Sequence, residues 1–460
     1  MAKKDKILAI IIVLLALPPV SAYIDPGTGG YLATSLLSAI AAYIAIAFAA
    51  VGLFFRKSII APIKNFYHNN KKLSLTILIL VILIIVAIII YPKISQKVSI
   101  EFNETLSGAH IYQQDKILPG YYLYEGKLID INGSIIKNWS SIYLGTIDKN
   151  GDYYAQQSFE SPVWGRYSWN DSVIWEMNMP IHHEILLTPQ DTIIIFTKEV
   201  HEYNSRKVEF DVILEFEKNG TLLDRWSTWD NLNYLKQFHK PLELDQQANV
   251  FIKEENRKNT SIWGGNYDYY HLNSIALVPN NSLQGAHPAF NEGNWIISFR
   301  HGSMIFILDK KTKNVLWSAI YDQIPENLEG PHTPMMTENG NIIVLDNGRY
   351  RKWSRIISID PVNLNITWEY KAENPEDFFS LSQSSIQLLP NYNLLVTESE
   401  KGRAFELTPD KQIVWEYYNP EKQDETNSLD KKRYGERQEI YRMTKYSKNF
   451  IDSLIEKYGE

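Results

Sequence analysis

Ten histidines are spread along the 460-residue chain, and four of them open short aliphatic runs: the pair His182 and His183, then His271, then His332. Imidazole changes charge near neutral pH and can serve as nucleophile, acid, base or metal ligand. Arg300 closes the run Trp295-Ile296-Ile297-Ser298-Phe299, a short way downstream of His271. Its planar fork suits an oxyanion or a buried carboxylate equally well. The imidazoles could hold a metal. They could also attack a phosphorus or sulfur centre while cations grip its non-bridging oxygens. With no cysteine in the chain, thiol nucleophiles, disulfides, zinc–thiolate sites and iron–sulfur clusters are excluded. A lone histidine at a strand end is more often structural than catalytic; one position recurring in three repeat units is the stronger signal. His301 follows Arg300, and strand alternation predicts that it faces the other way.

These side chains act together only if the fold brings their runs to one place. Residues 96–440 show alternating apolar runs, Tyr and Trp enrichment and turn pairs such as Asn150-Gly151, with no long helical pattern before Tyr441–Tyr458. That is an all-β reading. One phrase, a strand, a polar turn and a strand ending in Trp, recurs at Trp139, Trp226, Trp317, Trp368 and Trp415. The spacings of 87, 91, 51 and 47 fit a unit of about 45 residues, with weaker copies near Trp175 and Trp263. A second phrase of large aliphatics occurs six times, at Tyr143–Gln156, His183–Thr197, Pro241–Lys253, His271–Arg300, His332–Asp346 and Ser385–Thr397. Four strands per unit predict an all-β six-bladed β-propeller. Corresponding positions of successive blades then face one channel mouth, where the histidines would converge.

Charge divides the chain. Residues 1–95 hold nine Lys/Arg against two Asp/Glu, and the remainder 37 against 51. The acidic excess of the larger part argues against nucleic acid as a partner. Residues 1–95 read as a membrane anchor: a signal-like segment at 7–22 and transmembrane helices at about 31–55 and 74–91. Arg56, Lys57, Lys64, Lys71 and Lys72 lie between the two spans, so that loop is expected in the cytoplasm and everything after Pro92 outside it. Eight Asn-x-Ser/Thr sequons, from Asn103 to Asn365, agree with an external domain. The expected organisation is the anchor, a linker with the first strands at 96–124, a propeller at 125–445, and a C-terminal helix or tail at 446–460.

At these residues the chain resembles the arylsulfotransferase family of bacteria and archaea that does without the adenylyl sulfate donor. The matching phrases are His271-Leu-Asn-Ser-Ile275, Ile296-Ile-Ser-Phe-Arg300-His301, and His332-Thr333 leading to Gly340-Asn-Ile-Ile-Val-Leu-Asp346-Asn347-Gly348. Ser354-Arg355, Arg403-Ala-Phe-Glu-Leu-Thr and Ile413-Val-Trp-Glu-Tyr417 continue the likeness, as does the earlier His182-His183 with its aliphatic strand. The resemblance spans about residues 125–445. It implies a six-bladed propeller working outside the cytoplasm, with a phenolic sulfate as donor, a phenol as acceptor, and no metal or organic cofactor. By the same resemblance His332 is the nucleophile that carries a sulfuryl group in a ping-pong reaction. His271 and Arg300 bind sulfuryl oxygens and stabilise the phenolic oxygen. One of His182 and His183 completes the site. His183 is preferred because its spacing to the next strand matches that of His332, and Thr397 is a further sulfuryl contact. A neutral imidazole nucleophile should lose activity below about pH 6.5, its ordinary pKa.

The sequence departs from the family in three ways. Residues 1–95 have no counterpart in the secreted members, there is no cysteine for a disulfide, and the region before 125 does not match the β-domain that some members use to dimerise. Three other readings compete. A non-catalytic surface propeller could bind glycans or a partner protein through Trp263-Gly-Gly-Asn-Tyr-Asp-Tyr-Tyr270. A quinone-dependent dehydrogenase would need calcium and normally eight blades. A metal-dependent hydrolase could use the same histidines.

Overall fold

The computed structural model describes residues 106–159, 161–242, 261–422 and 437–459. The expected signal-like segment and the two expected membrane spans lie outside these residues. Among the described residues no helix is long and apolar enough to cross a membrane.

Six antiparallel sheets form the blades of a propeller. The first is built from Thr444–Ser447, Gly120–Tyr124, Lys127–Ile129 and Ile135–Asn138, so the last strand of the chain becomes its innermost strand. The second runs from Tyr143–Ile147 outward to Val173–Asn178, and the third from His182–Leu187 through Thr192–Tyr203 and Arg206–Glu217 to Leu222–Ser227. The fourth begins on Leu272–Leu277, the fifth on Pro331–Met336 and the sixth on Ser385–Leu388. Gly108–Ile111 pairs with the outermost strand of the sixth blade, Ile413–Tyr418. The ring is therefore closed at both chain ends, and the propeller takes strands from outside the expected 125–445. Lys448–Tyr458 is a helix, as the C-terminal pattern suggests.

Apolar side chains alternate along each strand and meet those of the neighbouring blade. Phe196 and Phe210 of the third blade pack with Leu272, Phe299 and Phe306 of the fourth, and burying each such side chain contributes roughly 1.5–3 kcal/mol. The repeated tryptophans have a specific task. Each lies on or beside the fourth strand of its blade, and four donate Nε1–H to a carbonyl in the turn between strands three and four of the next blade. The pairs are Trp175 to Lys218 O (2.9 Å), Trp317 to Pro361 O (2.8 Å), Trp368 to Pro409 O (3.0 Å) and Trp415 to Ile131 O (2.9 Å).

One repeat copy read from the sequence, that near Trp263, forms no blade. Trp263 lies in the long connection between the third and fourth blades, whose length explains the interval of 91 between Trp226 and Trp317. Pro241 and Leu242 belong to no strand, and the rest of the Pro241–Lys253 phrase lies outside the described residues. The sixth inner hairpin is instead Thr444–Ser447 with Gly120–Tyr124, whose halves stand more than 300 residues apart in the chain.

Candidate active site

Each histidine sits where its inner strand is irregular. Register shifts follow His182, Leu272 and His332 in the pairing with the second strand of their blades. His183 and Thr333 lie at these points with φ of 60° and 46°, and His271, directly before Leu272, has φ of 57°. Left-handed backbone at a non-glycine residue costs on the order of 1–3 kcal/mol. A bulge with such a residue turns side chains off the regular sheet alternation. By register, His182 opposite Phe196 is the counterpart of His332 opposite Leu345, and His183 is the counterpart of Thr333. The bulge in the third blade is one residue longer, which is why equal spacing in sequence does not give equal position.

His332 is buried. Its Nδ1 lies 3.0 Å from Gly330 O, and a carbonyl can only accept, so Nδ1 carries the proton and Nε2 the lone pair. That Nε2 is buried without a hydrogen-bond partner. Burial, then the charge of Arg300, push the ring pKa down to about 3 against the opposing pull of Gly330 O, so the imidazole is neutral. Arg300 is fixed by its backbone, its N–H donating to His271 O at 3.0 Å.

His271 donates Nδ1–H to Asp268 Oδ2 at 2.6 Å, and Lys198 Nζ lies 2.5 Å from the same oxygen. Burial lowers the His271 pKa to about 4 although Asp268 pulls it upward. Burial would raise Asp268, yet Lys198 and His271 hold its carboxylate well below the usual range. Residues Tyr267–Asp268 form a two-residue strand parallel to Val208 and Glu209, which sets Asp268 beside the lysine. His301 does not face away as alternation predicts. The regular strand ends at Phe299, and the His301 ring turns back to 5.1 Å from that of His271, its Nδ1 3.1 Å from Asp268 O.

His182 and His183 form one unit. His182 Nε2 lies 3.3 Å from Thr197 O, a carbonyl that can only accept, and 3.5 Å from Asp211 Oδ1. Neutral His182 therefore keeps its lone pair on Nδ1, and His183 Nδ1–H donates to it across 2.8 Å. The His183 ring stands 4.8 Å from that of His271, while His182 packs edge-on against Trp263. Thus His332, His271 and His183 all commit Nδ1–H to the protein and keep the lone pair on Nε2. A proton on either His271 or His332 would oppose one on His183, as the Arg300 charge opposes one on His332.

Thr397 is buried in the sixth blade, and its hydroxyl accepts from Met443 N (3.0 Å) and Ser385 Oγ (3.1 Å). Those bonds secure the ring closure rather than the histidines. Arg355 and Arg403, part of the family-like phrases, pair with Asp346 and Glu398 as internal anchors. Sequence reasoning missed Lys198, Asp211 and Asp268; a lysine inside the aliphatic run Ile193–Phe196 onward, and an aspartate three residues before a singled-out histidine, were the available signals. The stretch Trp263–Tyr270 is used internally: Tyr269 and Tyr270 are buried, and the Trp263 ring covers Lys198 at 5.3 Å. Among the described residues no three His, Asp or Glu side chains are arranged to hold a metal ion. Further along the inner strands the channel holds a cavity of about 410 Å³, lined by Leu144, Glu184, Tyr441, Arg442 and Lys445 among others. That lies within the range of small-molecule sites, roughly 300–1,000 Å³.

Fold and site together define a β-propeller with a buried histidine–arginine centre. The chain belongs to the arylsulfotransferase family, whose model matches residues 131–420. Membership supports a sulfotransferase-type enzyme with phenolic substrates. No curated protein matches the chain. Similar solved structures include a protein of unknown function from Bacteroides caccae (12% identity, 71% of this chain and 98% of that one, TM-score 0.38). Virginiamycin B lyase from Staphylococcus aureus (13%, 68% and 88%, 0.34) and apo AztD from Citrobacter koseri (9%, 72% and 98%, 0.35) are others. At these identities and scores they carry no argument about function.

Proposed function

We propose that the protein is a membrane-anchored, extracytoplasmic aryl sulfotransferase that moves a sulfuryl group from a phenolic sulfate ester to an acceptor phenol through a sulfohistidine at His332. The observation that carries this reading is the buried, neutral His332, whose Nδ1–H is held by Gly330 O and whose Nε2 lone pair has no partner. Nε2 attacks sulfur, the sulfur–aryl oxygen bond breaks and the oxygen leaves with the bonding pair as an aryl oxide. Arg300 holds the non-bridging oxygens as charge shifts towards the leaving oxygen. Because Nδ1 keeps its proton, the sulfonated ring carries positive charge, which leaves the N–S bond reactive. An acceptor phenol then takes the sulfuryl group and returns His332 to its neutral form. The anchor rests on the apolar segments 31–55 and 74–91 and their basic intervening loop.

The test is trapping. The full chain in detergent is incubated with 4-nitrophenyl sulfate without acceptor, and intact-mass and peptide spectrometry look for one added sulfuryl group. A stoichiometric adduct on His332, absent from His332→Ala, supports the reading. No adduct and no nitrophenol from folded protein would sink it. Protease protection of the C-terminal domain in intact cells tests the orientation separately.

A further inference from the structure

Of the three imidazoles at the site, His271 alone has its Nδ1–H on a carboxylate. Asp268 Oδ2 accepts that bond at 2.6 Å, His332 uses a backbone carbonyl, and His183 uses another imidazole. Asp268 is itself built in. It lies on a strand pinned by Asn266 N to Lys207 O (2.9 Å) and Tyr269 N to Glu209 O (3.0 Å), and Lys198 Nζ holds its Oδ2 at 2.5 Å. Lys198 and Asp268 are both shielded from solvent, and Glu209, 3.4 Å from Lys198, adds a second carboxylate behind the pair. Asp211 fixes the next residue, its Oδ2 accepting from Leu272 N at 3.0 Å.

We infer that Asp268, held ionised by Lys198, is the positioning residue that makes His271 the acid–base of the reaction, so that the enzyme can use aryl sulfates whose phenols are poor leaving groups. This rests on the sulfuryl-transfer reading above. The groups facing His271 are Asp268, Lys198, His183, His301, Arg300 and His332. Burial keeps the ring neutral. An anionic donor beside it offsets that penalty, and the ring that already bonds a carboxylate takes the proton first. As His332 Nε2 bonds to sulfur and the sulfur–aryl oxygen bond breaks, His271 Nε2–H gives its proton to the leaving oxygen and a neutral phenol departs. In the second half the acceptor phenol gives its proton to His271 Nε2, its oxygen bonds to sulfur, and the N–S bond breaks. Protons and charges balance over the cycle without any further reactant. Asp268 fixes the ring in the tautomer that points Nε2 to the reaction and stabilises the imidazolium that enters the first half and is restored by the second.

The experiment compares two donors on the full chain in detergent. Phenyl sulfate releases a phenol of pKa about 10, like a tyrosine side chain. 4-Nitrophenyl sulfate releases a far more acidic phenol that needs no proton. In Asp268→Asn, kcat/KM for phenyl sulfate should fall by about 10²–10³-fold, the size of a general acid's contribution, and for 4-nitrophenyl sulfate by less than about tenfold. Asp268→Glu should recover part of the phenyl sulfate rate. Lys198→Met should show the same donor selectivity more weakly, and it serves as the reading if Asp268→Asn shows no cooperative melt. Equal losses on both donors, or no loss on either, would overturn the assignment while leaving the function reading intact. A wild-type protein that transfers from neither donor removes the function reading, and this assignment with it.

Discussion

The Nδ1–H of His332 donates to the carbonyl of Gly330 two residues earlier, at 3.0 Å. This short loop does two things at once. It fixes the imidazole tautomer, and it brings the left-handed Gly330 (φ +68°) between the stems of Arg300 and Arg349, which a Cβ would meet at 3.8 and 3.7 Å. His332 and Arg300 thus meet at one backbone turn.

His332→Ala should abolish the adduct and lower sulfuryl transfer by at least about 10³-fold, with folding retained. Gly330→Ala should be milder but measurable. Left-handed backbone at alanine costs on the order of 1–2 kcal/mol, and any shift in the turn moves Arg300 and the His332 proton donor together. Steady-state kinetics with a thermal melt on each variant separates the two effects.

The acid limb should lie far below that of an ordinary histidine. His332 is neutral down to about pH 3 and His271 to about pH 4. With 4-nitrophenyl sulfate, whose phenolate needs no proton, kcat/KM should stay level from neutrality to about pH 5, not fall near the 6.5 expected from sequence. Stability follows the same sign. The unfolded chain binds protons at these rings below about pH 6.5 and the folded chain does not, so stability rises with pH through this window and is lost as pH falls from 6.5 towards 3. For His332 alone the loss over this window is on the order of 5 kcal/mol. Urea midpoints between pH 7 and 4 should show it, and His332→Asn should flatten the slope.

Arg300 connects these results. Its charge is the second cause, after burial, of the depressed His332 pKa. Arg300→Gln should lower kcat for sulfuryl transfer by about 10²–10³-fold, as loss of an oxyanion donor does. It should also move the acid limb upward, because a cation no longer opposes protonation of His332. A lower rate with an unmoved limb would separate Arg300 from the nucleophile.

The blade architecture was legible because its signals are local: a Trp beside each fourth strand, aliphatic alternation on the inner hairpins, and histidines at inner-strand starts. The inner half of the first blade was not, since Thr444–Ser447 and Gly120–Tyr124 pair across the chain ends and neither carries the repeat phrase. At the site, residue types were legible and directions were not. A strand-alternation rule misplaced His301 because the strand stops at Phe299. Equal spacing paired His183 with His332, whereas the longer bulge makes His182 the register counterpart and still leaves His183 beside His271. Asp268 comes from a connection with no repeat partner, so only its contacts reveal it.

The tryptophan staples give a paired test of what closes the ring. Trp415 is fully buried, stacks on Tyr122 of the first blade at 4.0 Å and 3°, and donates Nε1–H to Ile131 O. It therefore joins the last blade to the first. Trp226 also lies on the fourth strand of its blade, opposite Ile213 and further from the turn than Trp415 is, and its Nε1–H is buried without a partner. Trp→Phe removes similar ring volume at both sites. At Trp415 it also deletes a hydrogen bond and strands the Ile131 carbonyl; at Trp226 it deletes an unsatisfied donor, which relieves a desolvation penalty. Trp415→Phe should consequently destabilise more than Trp226→Phe by about 1–3 kcal/mol, measured as the difference in urea unfolding free energy. Equal losses would mean that ring packing alone, and not the inter-blade hydrogen bond, is what these tryptophans supply.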